Sequence, residues 1–104
     1  MAATSAKVVT IIAESEAEDP IANGLRSLGA TAYTVLRARG VGKHGIQRGG
    51  FFGSENIVVQ VVASPAVAAQ ILTWVEDTLT NSCPAIAYAT AVDAVPGDHF
   101  SSSP

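Results

Sequence analysis

The segment RARGVGKHGIQRGGFFGSEN, residues Arg37 to Asn56, divides the sequence into two halves. It holds four of the six basic residues and six of the nine glycines of a chain whose formal net charge is −3. Glycines allow backbone N–H groups to approach a ligand closely, and clustered N–H groups beside cations form an anion-binding concavity. The segment therefore predicts either an anion-binding loop or a long solvated hairpin connection whose charges keep it soluble.

The first half has the pattern of a strand, a helix and a second strand. The β-branched run over Lys7–Ala13 predicts a largely buried strand. Asp19 followed by Pro20 predicts the N-cap and the first position of a helix, and Gly29 predicts where that helix ends. Residues 32–39 then predict a strand that runs into the charged segment.

The second half repeats this pattern. Residues 56–63 predict a third strand, and Ser64 with Pro65 predicts the start of a helix that ends near Thr80. From residue 85 to residue 95 small and large side chains alternate with a period of two, which predicts a fourth strand with alanines on one face. The alanine face predicts close packing of another layer, either a helix or a neighbouring subunit.

The order of these elements predicts an α+β fold of the ferredoxin-like βαββαβ type, an antiparallel sheet with two helices on one face. Its long connection between strands 2 and 3 covers about residues 40–56, and connections of that length are commonly functional. We expect one domain over residues 1–104, with a flexible tail over about residues 98–104.

Composition limits the possible functions. Only 14% of the residues are charged, so we expect apolar surface to be covered by further copies of the chain. The acidic net charge argues against general nucleic-acid binding. The single cysteine, Cys83, excludes an intrachain disulfide and fits a reducing compartment. The start of the chain lacks the pattern of a signal peptide, and no apolar stretch is long enough to span a bilayer, so we expect a cytoplasmic protein.

Two stretches of the sequence resemble PII-like signalling proteins. GATAYTVLRARGVGKHG (Gly29–Gly45) resembles the family signature that leads into its long T-loop, and PAIAYATAVDAVPG (Pro84–Gly97) resembles the last strand of the carboxysome-associated, bicarbonate-linked branch. The resemblance covers almost the whole chain. It implies a homotrimer that binds adenine nucleotides in clefts between subunits and whose T-loop reports occupancy to a partner protein.

The resemblance also implies which residues bind the nucleotide. The implied nucleotide-binding residues are Thr34, Gly40, Gly42, Lys43, His44, Ala85 and Ile86. In this set the threonine lies near the adenine, the glycines face the nucleotide, and the lysine and histidine reach its phosphate. No lysine or arginine follows Arg48, although the PII proteins that gave the family its name carry cations there. We therefore expect ADP or AMP to be preferred over ATP.

The glycine-rich segment can also hold a second, small anion. The candidate residues are Lys43, His44, Gly45 and Arg48. A planar anion such as bicarbonate, which the resemblance implies as a co-ligand, suits bidentate binding by a guanidinium, and sulfate or phosphate is equally permitted. We expect no metal, because helix capping explains the acidic residues that precede Pro20. The loop contains no tyrosine for the tyrosyl modification of other members.

The sequence therefore predicts a non-catalytic regulator that senses adenine nucleotide together with bicarbonate in inorganic-carbon metabolism. We expect the loop over residues 40–56 to be mobile without ligand and to order when both ligands bind. The partner protein is unidentified, with a bicarbonate transporter or a carboxysome component as candidates. Two alternatives stay open. One is a slow nucleotide-hydrolysing enzyme that uses His44 with Glu55, and the other is a structural trimeric module without ligand.

Overall fold

Two helices cover one face of a four-stranded antiparallel sheet. The computed structural model describes residues 3–40 and 55–100. The strands are β1 (Thr4–Glu14), β2 (Thr34–Ala38), β3 (Asn56–Ala63) and β4 (Ala85–Ala94), and the helices are α1 (Glu18–Ser27) and α2 (Pro65–Asp77). The sheet order is β2-β3-β1-β4, with every neighbouring pair antiparallel. This confirms the predicted ferredoxin-like arrangement, while the loop itself and the last four residues lie outside the described residues.

The start of α1 differs from the predicted one. A 3-10 turn, Ser15–Ala17, leads directly into the helix, and Ala17 occupies the N-cap position without a side-chain capping hydrogen bond. The predicted N-cap, Asp19, was wrong, because the turn already carries the chain in helical conformation and Asp19 falls within the first helical turn. Its carboxylate still lies at the positive end of the helix dipole. The predicted end is confirmed, since Gly29 has a φ of +80° just beyond the helix.

The start of α2 follows the sequence prediction. The backbone N–H of Val67 donates to the Ser64 hydroxyl over 3.3 Å, and Pro65 occupies the first helical turn. The helix ends at Asp77, a few residues earlier than predicted, and a second 3-10 turn, Leu79–Asn81, leads toward β4. Neither described helix is long and apolar enough to cross a membrane.

The core lies between the helices and one face of the sheet. The strands place every second residue on this face. In the register of β1 and β3, Val9 pairs with Val61 and Ile11 pairs with Val59. The fully buried side chains of the core are Ile11, Ile21, Leu25, Ile71, Leu79, Val9, Val59 and Val61. Because they come from both helices and from both central strands, the two halves of the chain depend on one common core.

The alanine face of β4 lies toward the helices. Ala85, Ala87 and Ala89 pack against the buried core, and β4 contacts α2. Of the two layers predicted to approach the alanines, the structure places the helix there. Ile86 and Tyr88 therefore lie on the opposite side of the sheet, where they are 60% and 50% exposed.

The sheet face without helices, called the open face below, consists of rows that run across the strands. One row is apolar and contains Leu36, Val58, Ile12 and Ile86. The next row is polar and contains Thr34, Gln60, Thr10 and Tyr88. Leu36 is 49% exposed, so an apolar row that spans the sheet is accessible on this face of a single chain.

The two helices contact each other through a glycine. Gly24 is buried in α1, and a Cβ added there would overlap with the indole ring of Trp74 on α2. The absence of a side chain at this position lets the ring lie against the α1 backbone. Trp74 is also packed against the core.

We expect Gly24→Ala to destabilise the protein, although alanine normally stabilises a helix by up to about 1 kcal/mol relative to glycine. Overpacking against Trp74 should cost about 1–3 kcal/mol of unfolding free energy, which urea unfolding at fixed protein concentration would measure. In a Trp74→Leu background the same change should become neutral or stabilising. An increase in stability from Gly24→Ala alone would contradict the contact.

Candidate functional site

The long loop starts and ends at a tightly defined base. Ala38 of β2 pairs with Asn56 of β3, so the chain leaves the sheet after residue 38 and returns at residue 56. The returning end is fixed by Ser15, whose backbone N–H and hydroxyl both donate to the carbonyl of Glu55, over 2.8 Å and 2.7 Å. The 3-10 turn after β1 therefore holds the second end of the loop in place.

An exposed ion pair lies beside this base. Arg37 Nε lies 3.5 Å from Glu55 Oε1, with the two side chains 84% and 44% exposed. Such a solvated pair contributes little stability. Glu55 is also the carboxylate that the hydrolysis alternative would use together with His44. His44 lies outside the described residues.

The described part of the predicted nucleotide site falls into two groups. Thr34 begins β2 and is exposed, and Gly40 follows β2 with open space where a side chain would extend. Ala85 and Ile86 begin β4. The other predicted ligand-binding residues, Gly42, Lys43, His44, Gly45 and Arg48, lie outside the described residues.

The two groups lie at opposite edges of the sheet. β2 and β4 are its two edge strands, separated by β3 and β1, which corresponds to roughly 14 Å at the usual strand spacing. The end of β2 and the start of β4 nevertheless lie at the same end of the sheet. Ala38 pairs with Asn56, and Asn56 pairs with Glu14. Ala13, the residue before Glu14, pairs with Ala85. Of the residues that the structure describes, one chain therefore does not bring these two groups of the predicted site together.

A cavity of about 400 Å³ opens between α2 and the start of β4. Its lining residues are Leu72, Val75, Glu76, Thr80, Ala85, Ile86 and Ala87. Sequence reasoning identified only Ala85 and Ile86 of this set. The remaining residues carry no motif, and only the packing of α2 beside β4 brings them to the same cavity.

Cys83 lies just before β4 and is half-buried. Its thiol lies 3.8 Å from the carbonyl oxygen of Leu79. Burial, and secondarily the negative charge of Glu14, raise the pKa of Cys83 above its usual value. The thiolate is therefore disfavoured, and Cys83 is a poor nucleophile at neutral pH.

Within residues 3–40 and 55–100, no cluster of three or more His, Cys, Asp or Glu side chains is arranged to hold a metal ion.

Residues 6–95 match the family model described as "Nitrogen regulatory protein P-II". The chain belongs to the PII family. A PII-like signalling protein from Thermus thermophilus is 31% identical, with a TM-score of 0.80 over 97% of this chain and 100% of its own. This confirms the resemblance to PII-like signalling proteins seen in the sequence. No curated protein matches the chain significantly.

PII-like structures from Thiomonas intermedia K12 share the fold at lower identity. The protein called CPII, bound to ADP, AMP and acetate, has 14% identity and a TM-score of 0.80 over 96% of this chain and 98% of its own. CPII bound to ADP, AMP and bicarbonate has 16% identity and a TM-score of 0.76 over 88% of this chain and 90% of its own. At these identities the likeness establishes a common fold.

We expect Ser15→Ala to loosen the loop base. The change removes one of two hydrogen bonds to the Glu55 carbonyl, at a cost of about 0.5–1.5 kcal/mol. Amide exchange at residue 15 and at Asn56 should accelerate more than exchange at Val61 in the middle of β3. Ser27→Ala is the matched control, because the Ser27 hydroxyl also donates to a backbone carbonyl, that of Asn23, but on the exposed side of α1. Equal effects of both changes at the loop base would contradict the anchoring role.

Proposed function

We propose that this PII family member is a non-catalytic signalling protein that binds adenine nucleotide together with bicarbonate at clefts between three copies of the chain. The observation that carries the proposal is that the described residues of the predicted nucleotide site are divided between the two edges of one sheet. Thr34 and Gly40 belong to one edge, and Ala85 and Ile86 to the other. A ring of copies that sets the β2 edge of one beside the β4 edge of the next completes the site.

The open face supports this assembly. Its apolar row contains Leu36 and Ile86, which are 49% and 60% exposed in one chain. Burying them between copies removes apolar surface from water, at about 25 cal/mol per Å². The neighbouring polar row, with Gln60 and Tyr88, supplies hydrogen-bonding groups that favour one alignment of the copies over others. A closed threefold ring uses the face of every copy.

The ligand choice draws on the relatives and on the sequence. CPII is bound to ADP, AMP and bicarbonate in one of its structures. The predicted anion-binding residues of this chain are Lys43, His44, Gly45 and Arg48, and no lysine or arginine follows Arg48. With so few cations, a mono- or diphosphate is bound more favourably than a triphosphate. Bicarbonate is the second anion.

Signalling then depends on the loop over residues 40–56. Nucleotide and bicarbonate bind beside its base and determine which loop conformation a partner protein meets, and that partner belongs to inorganic-carbon uptake or to carboxysome function in the cytoplasm. Catalysis is not part of the proposal. The only carboxylate suggested for acid–base work, Glu55, is paired with Arg37.

The assembly is tested by the mass in solution. Sedimentation at micromolar concentration should give three times the subunit mass of 10.6 kDa. Leu36→Asp puts a charge into the apolar row and should shift the protein toward monomer. Ala66→Asp, on the exposed first turn of α2, introduces the same charge away from the open face and should leave the trimer intact. A single-subunit mass for the unmodified protein would overturn the assembly.

Nucleotide binding is tested by calorimetric titration of AMP, ADP and ATP, each with and without bicarbonate. Lys43→Ala should weaken AMP or ADP binding roughly ten- to a hundredfold, because a hydrogen bond to a charged group is worth about 1.5–3 kcal/mol. Arg26→Ala removes an exposed cation from α1 and is the control. Bicarbonate should tighten AMP binding, and AMP should tighten bicarbonate binding by the same factor.

The outcomes separate the alternatives. Unchanged affinity in Lys43→Ala would make that lysine a solvated loop charge, and equal AMP affinity with and without bicarbonate would remove bicarbonate from the proposal. Release of phosphate during the titration would favour the slow hydrolase. No binding of any nucleotide would leave a structural module.

A further inference from the structure

Two exposed arginines lie where the chain leaves the sheet for the long loop. Arg37 belongs to β2, and Arg39 is the first residue after that strand. Both are exposed, and a spacing of two residues keeps their Cα atoms within about 7 Å of each other. Neither arginine belongs to the residues predicted to bind nucleotide or bicarbonate. The loop base therefore carries two cations to which the proposed ligand site gives no role.

The charge pattern of the chain concentrates positive charge around these arginines. Residues 20–54 contain five of the six lysines and arginines, and all nine acidic residues lie outside them. An acidic partner is therefore repelled by the remainder of the chain and attracted to the loop and its base, since complementary charge steers association. Arginine also suits a protein contact, because its guanidinium binds a carboxylate through two parallel hydrogen bonds.

A carboxylate of the same chain already contacts one of the two arginines. The contact joins Arg37 Nε to Glu55 Oε1 over 3.5 Å, and it is the only ion pair of Arg37 with another described residue. Both side chains are solvated, so the exchange of Glu55 for another carboxylate costs little. The backbone of Glu55 does not depend on this pair, because Ser15 binds its carbonyl. Glu55 can therefore release Arg37 without release of the loop base.

We infer that Arg37 and Arg39 bind a carboxylate-bearing segment of the partner protein, and that Glu55 occupies Arg37 until this partner arrives. Glu55 is then a built-in competitor, which lowers the affinity for every acidic surface and leaves only a well-matched one bound. The inference rests on the proposed function, because it states the chemistry of the partner that the signalling protein meets. It assigns the contact to the loop base and leaves the loop residues to the ligands.

The test uses a short polyglutamate peptide as the probe and a polyglutamine peptide of the same length as its control. Calorimetric titration at low salt should show binding of polyglutamate alone, and added salt should weaken that binding. Arg37→Gln and Arg39→Gln should each weaken it roughly two- to fivefold, the size of one exposed ion pair. Arg26→Gln is the matched control, because Arg26 is also an exposed arginine with one side-chain contact, to Asn23 of α1.

Glu55→Gln should have the opposite effect on the same titration. It removes the competitor, so polyglutamate should bind roughly two- to fivefold more tightly. This gain should disappear in an Arg37→Gln background, because Glu55 then has no arginine to occupy. A general effect of charge would instead tighten binding equally in both backgrounds.

Several outcomes would overturn the inference. Polyglutamate that does not bind, or that loses as much affinity in Arg26→Gln as in Arg37→Gln, would leave the arginines at the loop base as solvated charges. A gain from Glu55→Gln that survives without Arg37 would remove the competitor. Tighter binding of an oligothymidylate of the same charge would make the loop base a phosphate-binding surface instead.

A parallel titration with AMP separates this inference from the proposed function. Arg37→Gln should change the affinity for AMP less than the affinity for polyglutamate, and the reverse order would make Arg37 a ligand residue. A protein that binds no AMP would fail the proposed function, whereas the peptide titrations would still decide the docking contact.

Discussion

The period-two alternation of β1 is the constraint on which the other elements depend. β1 is central in the sheet and pairs with both β3 and β4. In its second half the odd-numbered side chains, Val9, Ile11 and Ala13, are buried under the helices. Its even-numbered side chains, such as Ile12, lie on the open face. A shift of the register by one residue would exchange these two faces, so the core and the surface proposed for assembly are fixed by one pairing.

That constraint explains why so much of the fold is predictable from the sequence. The strand over Asn56–Ala63 has its predicted bounds because the β-branched run is framed by the loop on one side and by Ser64 and Pro65 on the other. α2 begins where the capping serine and proline predict. The start of α1 is less predictable, because a 3-10 turn and an α-helix share nearly the same backbone conformation and their boundary leaves little trace in the residue types.

The site is predictable only in part. The resemblance to PII-like proteins identified the starts of β2 and β4, since Thr34 and Ala85 belong to stretches with a recognisable pattern. It could not indicate the part of α2 beside β4, because those residues carry no motif and only the packing of the helix beside the strand brings them together. Ser15 is similar, since its hydrogen bonds to Glu55 join residues forty positions apart.

The distribution of charge and of the predicted site residues over the chain decides what the proposed site requires. Positive charge is gathered in the segment that begins near the end of β2, and no lysine or arginine follows Arg48. The proposed site takes residues from both edges of the sheet, and a single chain holds these edges apart. A ligand that bridges two edges favours the assembled state over the separated one, because it binds only where both edges meet. Nucleotide binding and assembly are therefore thermodynamically linked in the proposed site, and the fold supplies this linkage by placing β2 and β4 at opposite edges.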